Sequence, residues 1–515
     1  MAIGDLLRLA RAGYVLAREG VATAFPLPEP IPLPIRMLLG FARLIERRAA
    51  GDRGGAERLT RAVNRLGPSY VKLGQFLATR PDVVGRRMAN DLSALQDNVP
   101  PFGDVGARAE VLAAFGLPAE QVFTVFGPPI AAASIAQVHR AEVTDLLTGD
   151  TRVVAVKVLR PGVARRFARD LRAFYIVARL IERFHPPSRR LKPLAVVDTL
   201  ARSVSLEMDF RLEAAALSEM AENTRADEGF RVPSVDWERS AKTVLTMEWI
   251  DGRKLSDVAG IASEGHDLKR LAATLIQSFL RHAMRDGFFH ADMHQGNLFI
   301  DPAGSVVAVD FGIMGRLGAK ERRFLAEILF GFIRRDYRRV AEVHFEAGYV
   351  PAQHDVNTFA QALRAIGEPL QGHTASEISM ARLLTQLFEV TELFDMQTRP
   401  ELIMLQKTMV VVEGVARTLD PQLDMWRTAE PVVTEWITRN LGPVGRIEDA
   451  GRTLSSLVKL VSTLPMLAVD LERAAAAERD RNLYLERQRW SLERLVWPAW
   501  IVAISLAALA ISAVW

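Results

Sequence analysis

The chain has 515 residues, 49% hydrophobic and 24% charged, with a net charge of +4 and no cysteine. These values fit two or three globular lobes and exclude an intrinsically disordered chain. The lack of cysteine excludes disulfides, thiolate metal sites and cysteine nucleophiles, and so small a net charge gives no sign of a nucleic-acid partner.

Arginine is clustered near both ends, which suits contact with an anionic surface such as a membrane. Residues 1–20 follow helical spacing, with Ile3, Leu6, Leu7, Ala10 and Tyr14 on one face and Arg8, Arg11 and Arg18 largely opposite. Such a helix can lie on a bilayer or dock on the protein body. It lacks the continuous apolar core of a signal peptide, so the body is expected in the cytosol. Residues 25–34, FPLPEPIPLP, read as an extended linker. Helical patterning over 35–50 is broken by the glycines of 51–55. A helix is predicted within 57–80, with Pro68 suited to a first turn and Lys72, Gln75 and Thr79 on one face.

From about Val122 the pattern turns to strands. Ala131, Ala132, Ala133 and Ser134 lie at a hairpin tip, and 153–158 (VVAVKV) reads as a strand carrying the single basic residue Lys157. An Arg- and Ala-rich helix over 162–184 and a loop with Pro186-Pro187 and three basic residues follow. One long helix is predicted over 195–223, since it contains no Gly or Pro; it carries Glu207, Asp209 and Glu213. On a regular helix Glu207 and Asp209 cannot both face one cation. Strand 243–249 is broken by Ile250-Asp251-Gly252.

Residues 289–312 concentrate the chemistry. His290-Ala291-Asp292 is followed by Asn297, then by two short apolar runs around the turn residues 301–305, then by Asp310-Phe311-Gly312. Folding this hairpin sets Asn297 beside Asp310, so that a carboxamide and a carboxylate oxygen can converge on a hard cation with Asp292 free nearby. A transition-metal site from His290, Asp292 and His294 is the lesser reading. Beyond Lys320 helical patterning runs to about Ala477, and no Ala-Pro-Glu triplet follows Asp310-Phe311-Gly312. Residues 495–515 carry no charge and rise about 31 Å as a helix, enough to cross a bilayer. Trp497, Trp500 and Trp515 mark its ends, and Arg487, Arg489 and Arg494 place the body on the cytoplasmic face.

The order of HxD, Asn and DFG resembles the catalytic and metal loops of protein kinases, and VAVK resembles their third strand. With Lys72-Leu73-Gly74-Gln75, the alanine-rich tip and Glu207-Met208-Asp209, the chain resembles the UbiB family of atypical kinase-like proteins, closely over 66–315. The resemblance implies an α+β, two-lobed protein-kinase-like fold with a mostly helical large lobe, a helical N-terminal extension and a C-terminal transmembrane helix. The expected division is an amphipathic helix over 1–24 and a linker and helical extension over 25–110. A small lobe with an inserted helix over 111–250, a large lobe over 251–480 and an anchor over 490–515 complete it.

It further implies ATP and Mg²⁺ as cofactors. Lys157, Glu213 and Asp292 would be catalytic, with Glu213 paired to Lys157, and Asn297 and Asp310 would hold the metal. Ala131, Ala132, Ala133, Ser134, Lys157 and the backbone of Met247, Glu248 and Trp249 would bind nucleotide. Lys72, Gly74, Gln75, Glu207 and Asp209 would be regulatory, Lys72 pairing with one of the two acids. The implied activity is membrane-stimulated ATP hydrolysis supporting ubiquinone biosynthesis; alternatives are a true small-molecule or protein kinase and a non-catalytic lipid-binding scaffold. Implied partners are a membrane lipid or quinone precursor, quinone-biosynthesis enzymes and a second copy, at the cytoplasmic face of the cell membrane through one or two spans. Met293 and Gln295 replace prolines that relatives often carry, which keeps every polar role.

Overall fold

The computed structural model describes residues 3–21, 54–78, 100–145, 149–184, 191–368 and 400–441, with a few scattered positions between them. Nearly all lie in one unit, residues 1–434; the second, 435–515, contributes only the end of the last described helix. The N-terminal extension comprises α1 (Ile3–Arg18), α2 (Gly55–Leu66) and α3 (Pro68–Ala78). Gly67, between α2 and α3, takes φ +105°, which favours glycine, and Pro68 then opens α3.

Helix α1 docks on the body, but not by the face its apolar residues suggest. Ala12 and Val15 pack with Ala62 and Leu66. Buried beside them, Asp5 meets Arg8 at 3.1 Å and Arg172 at 3.6 Å, and Glu19 meets Arg65 at 2.9 Å. These arginines neutralise carboxylates that would otherwise keep this face in water. Leu7 and Tyr14 are left 66% and 47% exposed.

The small lobe begins with α4 (Asp104–Phe115), then β1 (Val125–Ala132), β2 (Ala136–Thr144) and β3 (Thr151–Leu159). In β3, Val154, Val156 and Val158 are buried against a core that includes Ala107 and Val111 of α4. Strand alternation turns Ala155 and Lys157 to the opposite side. Next come α5 (Val163–Phe184), α6 (Pro193–Glu207) and α7 (Phe210–Asn223). The single helix expected over 195–223 is therefore two. Asp209 takes an extended conformation and caps α7 by accepting from the Arg211 N–H at 3.2 Å, while the Phe210 N–H donates to the Lys242 carbonyl at 3.0 Å. Propensity tolerates a helix here, but the cap and that long-range bond select the break.

After β4 (Phe230–Arg231), β5 (Val244–Glu248) completes an antiparallel sheet in the order β1-β2-β3-β5. The large lobe starts with β6 (Arg253–Lys254) and α8 (Leu268–Arg281), whose Leu271, Leu275, Ile276 and Phe279 are buried. One π-helical turn, His282–Asp286, leads into β7 (Phe288–His290). Strands β8 (Leu298–Ile300) and β9 (Val306–Ala308) form the hairpin, with Leu298 opposite Ala308. They lie in the order β4-β9-β8-β6, while β10 (Met314–Arg316) pairs with β7. Helices α9 (Ala319–Arg334), α10 (Tyr337–Glu346), α11 (Val356–Gly367), α12 (Pro400–Leu419) and α13 (Met425–Leu441) follow, α12 packing on α8.

Among the described residues no helix is long and apolar enough to cross a membrane. The span expected over 495–515, the linker at 25–34, Thr79 and the patterning of 442–477 lie outside the described residues.

Candidate active site

Lys157, on the cleft face of β3, donates from Nζ to Glu213 Oε1 at 2.7 Å and to Asp310 Oδ1 at 2.8 Å, and lies 5.5 Å from the centre of the Phe210 ring. Glu213 stands in the first turn of α7, where the helix dipole favours a carboxylate. Burial opposes the Lys157 charge, but Asp310 and Glu213 outweigh it and hold the ammonium above its ordinary pKa. Burial pushes the Glu213 carboxyl up to about 7, with Lys157 pulling the other way. Asp310 is held well below the usual carboxylate range, first by Lys157 and with a smaller contribution from Lys72. The Asp310 side chain is 47% exposed, so its direct contact with Lys157 is the firm basis for that direction.

Asp310 also takes φ +64°, a left-handed conformation that costs a non-glycine residue energy and that clusters at functional sites. The hairpin before it is closed by Asp301, which accepts from the Ser305 N–H at 2.8 Å through its side chain and from the Gly304 N–H at 2.9 Å through its carbonyl. The Val309 N–H donates to the Asn297 carbonyl at 2.9 Å, so Asn297 and Asp310 emerge side by side. Asn297 Nδ2 donates to the Asp292 carbonyl at 3.1 Å, which leaves the amide oxygen for a cation.

His290 is buried, and both of its ring nitrogens are engaged. Nδ1 accepts from the Asp292 N–H at 3.0 Å, which makes Nε2 the donor to the Val309 carbonyl at 3.1 Å. Burial holds its pKa below the ordinary value, keeping the ring a neutral brace. The lesser reading of a transition-metal site through His290 therefore fails, and no cluster of three His, Asp or Glu suited to a metal occurs among the described residues. Asp292 projects a carboxylate that is 47% exposed, with His294 Nε2 at 3.7 Å.

Part of the hinge backbone is already paired within the protein. The Glu248 N–H donates to the Ser234 carbonyl at 2.8 Å, and its carboxylate accepts from Arg231 at 2.8 Å and from the Ser234 N–H at 3.1 Å. Met247 is paired with Ala155 on one side and Val235 on the other. The Glu248 N–H is thus not free for an adenine. Arg231 also binds Asp301 at 2.9 Å, joining the hinge to the catalytic hairpin. No motif marks Arg231 in the sequence; only the fold brings its two acids together.

Ala131 and Ala132 end β1, Ala133 closes the tip by donating to the Ala136 carbonyl at 2.8 Å, and Ser134 is buried. Sequence reading missed the support under this tip. Buried Gln137 accepts from the Phe102 N–H at 2.9 Å and lies 2.8 Å from buried His139, whose Nδ1 is 2.9 Å from the Gly127 carbonyl. On α3, Lys72 pairs with Glu207 at 2.6 Å, both side chains largely buried. Asp209 instead binds Arg211 through both carboxylate oxygens, at 2.9 and 2.6 Å. Gly74 is buried and Gln75 half-buried on the same helix. Thr408 of α12 shares its hydroxyl proton between the Met404 carbonyl of its own helix at 2.8 Å and the Ala291 carbonyl at 3.0 Å, a contact with the catalytic loop that no sequence pattern announces.

The donor set fits the expected cofactors. Asn297 and Asp310 offer hard oxygens of the kind Mg²⁺ takes, and Lys157 offers a fixed ammonium of the kind a phosphate chain takes. Residues 94–344 match the ABC1 atypical kinase-like domain, and 363–424 match the UbiB helical domain. A probable protein kinase UbiB from Marinobacter nauticus is 36% identical, covering 98% of this chain and 93% of its own. Its namesake from Aeromonas hydrophila is 39% identical over 85% and 80%. A solved structure titled as the complex of Rv3197 with erythromycin, from Mycobacterium tuberculosis, is 23% identical. It covers 73% of this chain and 97% of its own with a TM-score of 0.52, a likeness of fold. The kinase-like lobes, the Lys157–Glu213 pair and these matches agree: the chain belongs to the UbiB family of ABC1 atypical kinase-like proteins.

Proposed function

We propose that this chain is a membrane-associated, Mg²⁺-dependent ATPase supporting the biosynthesis of ubiquinone or a related isoprenoid quinone. The observation that carries the reading is Lys157 held between Glu213 and Asp310, with Lys72 near enough to bear on Asp310. Lys157 would bind and orient the phosphate chain, with Glu213 fixing its direction. Asn297 and Asp310 would hold Mg²⁺, which supplies charge neutralisation at the transferring phosphoryl group. Asp292 would accept the proton of a water or hydroxyl, while neutral His290 keeps its backbone in place. The tip at 131–134 and the backbone from Trp249 onward would enclose the nucleotide.

Lys72 on α3, paired with Glu207 and bearing on Asp310, is the feature that favours hydrolysis over protein phosphorylation. A kinase acting on a small molecule is the second reading, favoured by the half-exposed Asp292 carboxylate. The lipid-facing partner would be a membrane lipid or quinone precursor at the cytoplasmic face, with residues 495–515 as anchor and quinone-biosynthesis enzymes or a second copy as protein partners.

The test is phosphate release from ATP by the full chain, with and without anionic liposomes, beside Asp310→Asn. Turnover that rises with lipid and is lost in the variant supports the reading. Retained cellular function in Asp310→Asn would favour a scaffold, and transfer of labelled phosphate to a metabolite would favour the kinase.

A further inference from the structure

Helix α5 buries Val163, Phe167, Ala173, Phe174 and Ala178 against the body. Its apolar character does not stop where that cover ends. Val177, Leu180, Ile181 and Phe184, spaced i, i+3, i+4 and i+7, form one stripe and are all exposed, Phe184 at 72%. An apolar stripe at this spacing is ordinarily the buried side of a helix, so its exposure calls for an occupant.

The surrounding charge indicates which one. Helix α5 carries six arginines against two carboxylates. Of those carboxylates, Asp170 is buried. Glu182 is turned inward, accepting from the Leu194 N–H at 3.1 Å. Arg189 donates to the Glu182 carbonyl at 2.6 Å, capping the end of the helix. Arg179, Arg183, Arg189 and Lys192 are exposed around the stripe. Apolar side chains ringed by arginine match the boundary of an anionic bilayer, where acyl chains take the stripe and headgroup phosphates take the guanidinium groups.

We propose that the α5–α6 tip is a docking surface for an anionic bilayer, inserting Leu180, Ile181 and Phe184. It deepens the membrane reading above and adds a route to the nucleotide site. Helix α6 packs along α5 from this tip and ends at Glu207, the partner of Lys72. A force on the tip therefore acts on the ion pair that holds α3.

The absence of cysteine makes the test direct, since one introduced thiol labels one place. Leu180→Cys, Phe184→Cys and, on α4, the exposed control Val105→Cys each receive an environment-sensitive dye in the full-length protein. With phosphatidylglycerol vesicles, the dyes at 180 and 184 should shift to the blue and be quenched by nitroxide lipids, while the dye at 105 stays aqueous. Leu180→Glu/Phe184→Glu should abolish the lipid stimulation of phosphate release and leave the basal rate unchanged. Arg179→Gln/Arg183→Gln should reduce by about tenfold the preference for phosphatidylglycerol over phosphatidylcholine. Dyes that remain aqueous with vesicles would overturn the proposal. So would a blue shift without lipid, which marks a second copy if it grows with protein concentration and the chain's own tail if it does not. Insertion is read without ATP, so insertion with no turnover would sink only the ATPase reading.

Discussion

At Lys157 the opposing pulls on three side chains decide what the site can hold. Glu213 is buried enough that its carboxyl is pushed up to about 7, above its unfolded value of 4.5. A raised folded pKa contributes stability that is fully present below pH 4.5 and lost as pH rises through about 7. Relative to Glu213→Gln, the native chain should therefore lose stability from pH 4.5 to 7, by up to about 3 kcal/mol. Urea midpoints at pH 5 and pH 7.5 check this; parallel curves for the two proteins would refute it. The motif residues of this site were legible in sequence because Asp292, Asn297 and Asp310 lie in one short stretch around a single hairpin. The Glu213 partnership was read only by resemblance, since it joins positions 56 apart in the chain. The braces Arg231 and Gln137 were invisible, as each works through contacts with other segments.

At the scale of elements, the sequence showed where helices form better than where they stop or which way they face. The break at Asp209 depends on the Lys242 carbonyl, more than thirty residues away, and the buried face of α1 depends on arginines from α2 and α5. Two predictions belong here. Lys72→Met or Glu207→Gln breaks a largely buried ion pair and should cost about 3 kcal/mol. The double variant should cost clearly less than the two together, and a double-mutant cycle in urea measures the difference; strict additivity would deny the coupling. Thr408→Val removes the hydroxyl facing the Ala291 carbonyl and should lower kcat severalfold with little change in KM for ATP, if α12 steadies the catalytic loop. An effect on KM alone would show that α12 matters to binding instead.

Across the whole molecule, the two lobes meet at a site whose charges repel or attract according to what lies between them. A ligand that replaces the direct Lys157–Asp310 contact stabilises only the folded chain. Mg²⁺ with ATP at about a hundred times its Kd should therefore add about 2.7 kcal/mol to unfolding stability. The gain should appear as a rise in Tm of the native chain and be absent in Asp310→Asn with Mg²⁺. An equal rise in the variant would place the metal elsewhere. The two-lobed plan was readable from the order of strands and motifs. The tip of α5 was not, because a stripe of Val177, Leu180, Ile181 and Phe184 looks the same in sequence whether it faces a core or the outside.

The backbone of Asp310 sets up a contest between durability and work. At φ +64° a glycine would sit without strain, so Asp310→Gly should unfold about 1 kcal/mol later than Asp310→Ala, both having lost the carboxylate. Glycine at position 310 would relieve that twist but would also remove the carboxylate that Lys157 binds at 2.8 Å. An acid held there in an unfavourable twist is a standing cost in resilience, tolerable only where a charge is needed at that spot.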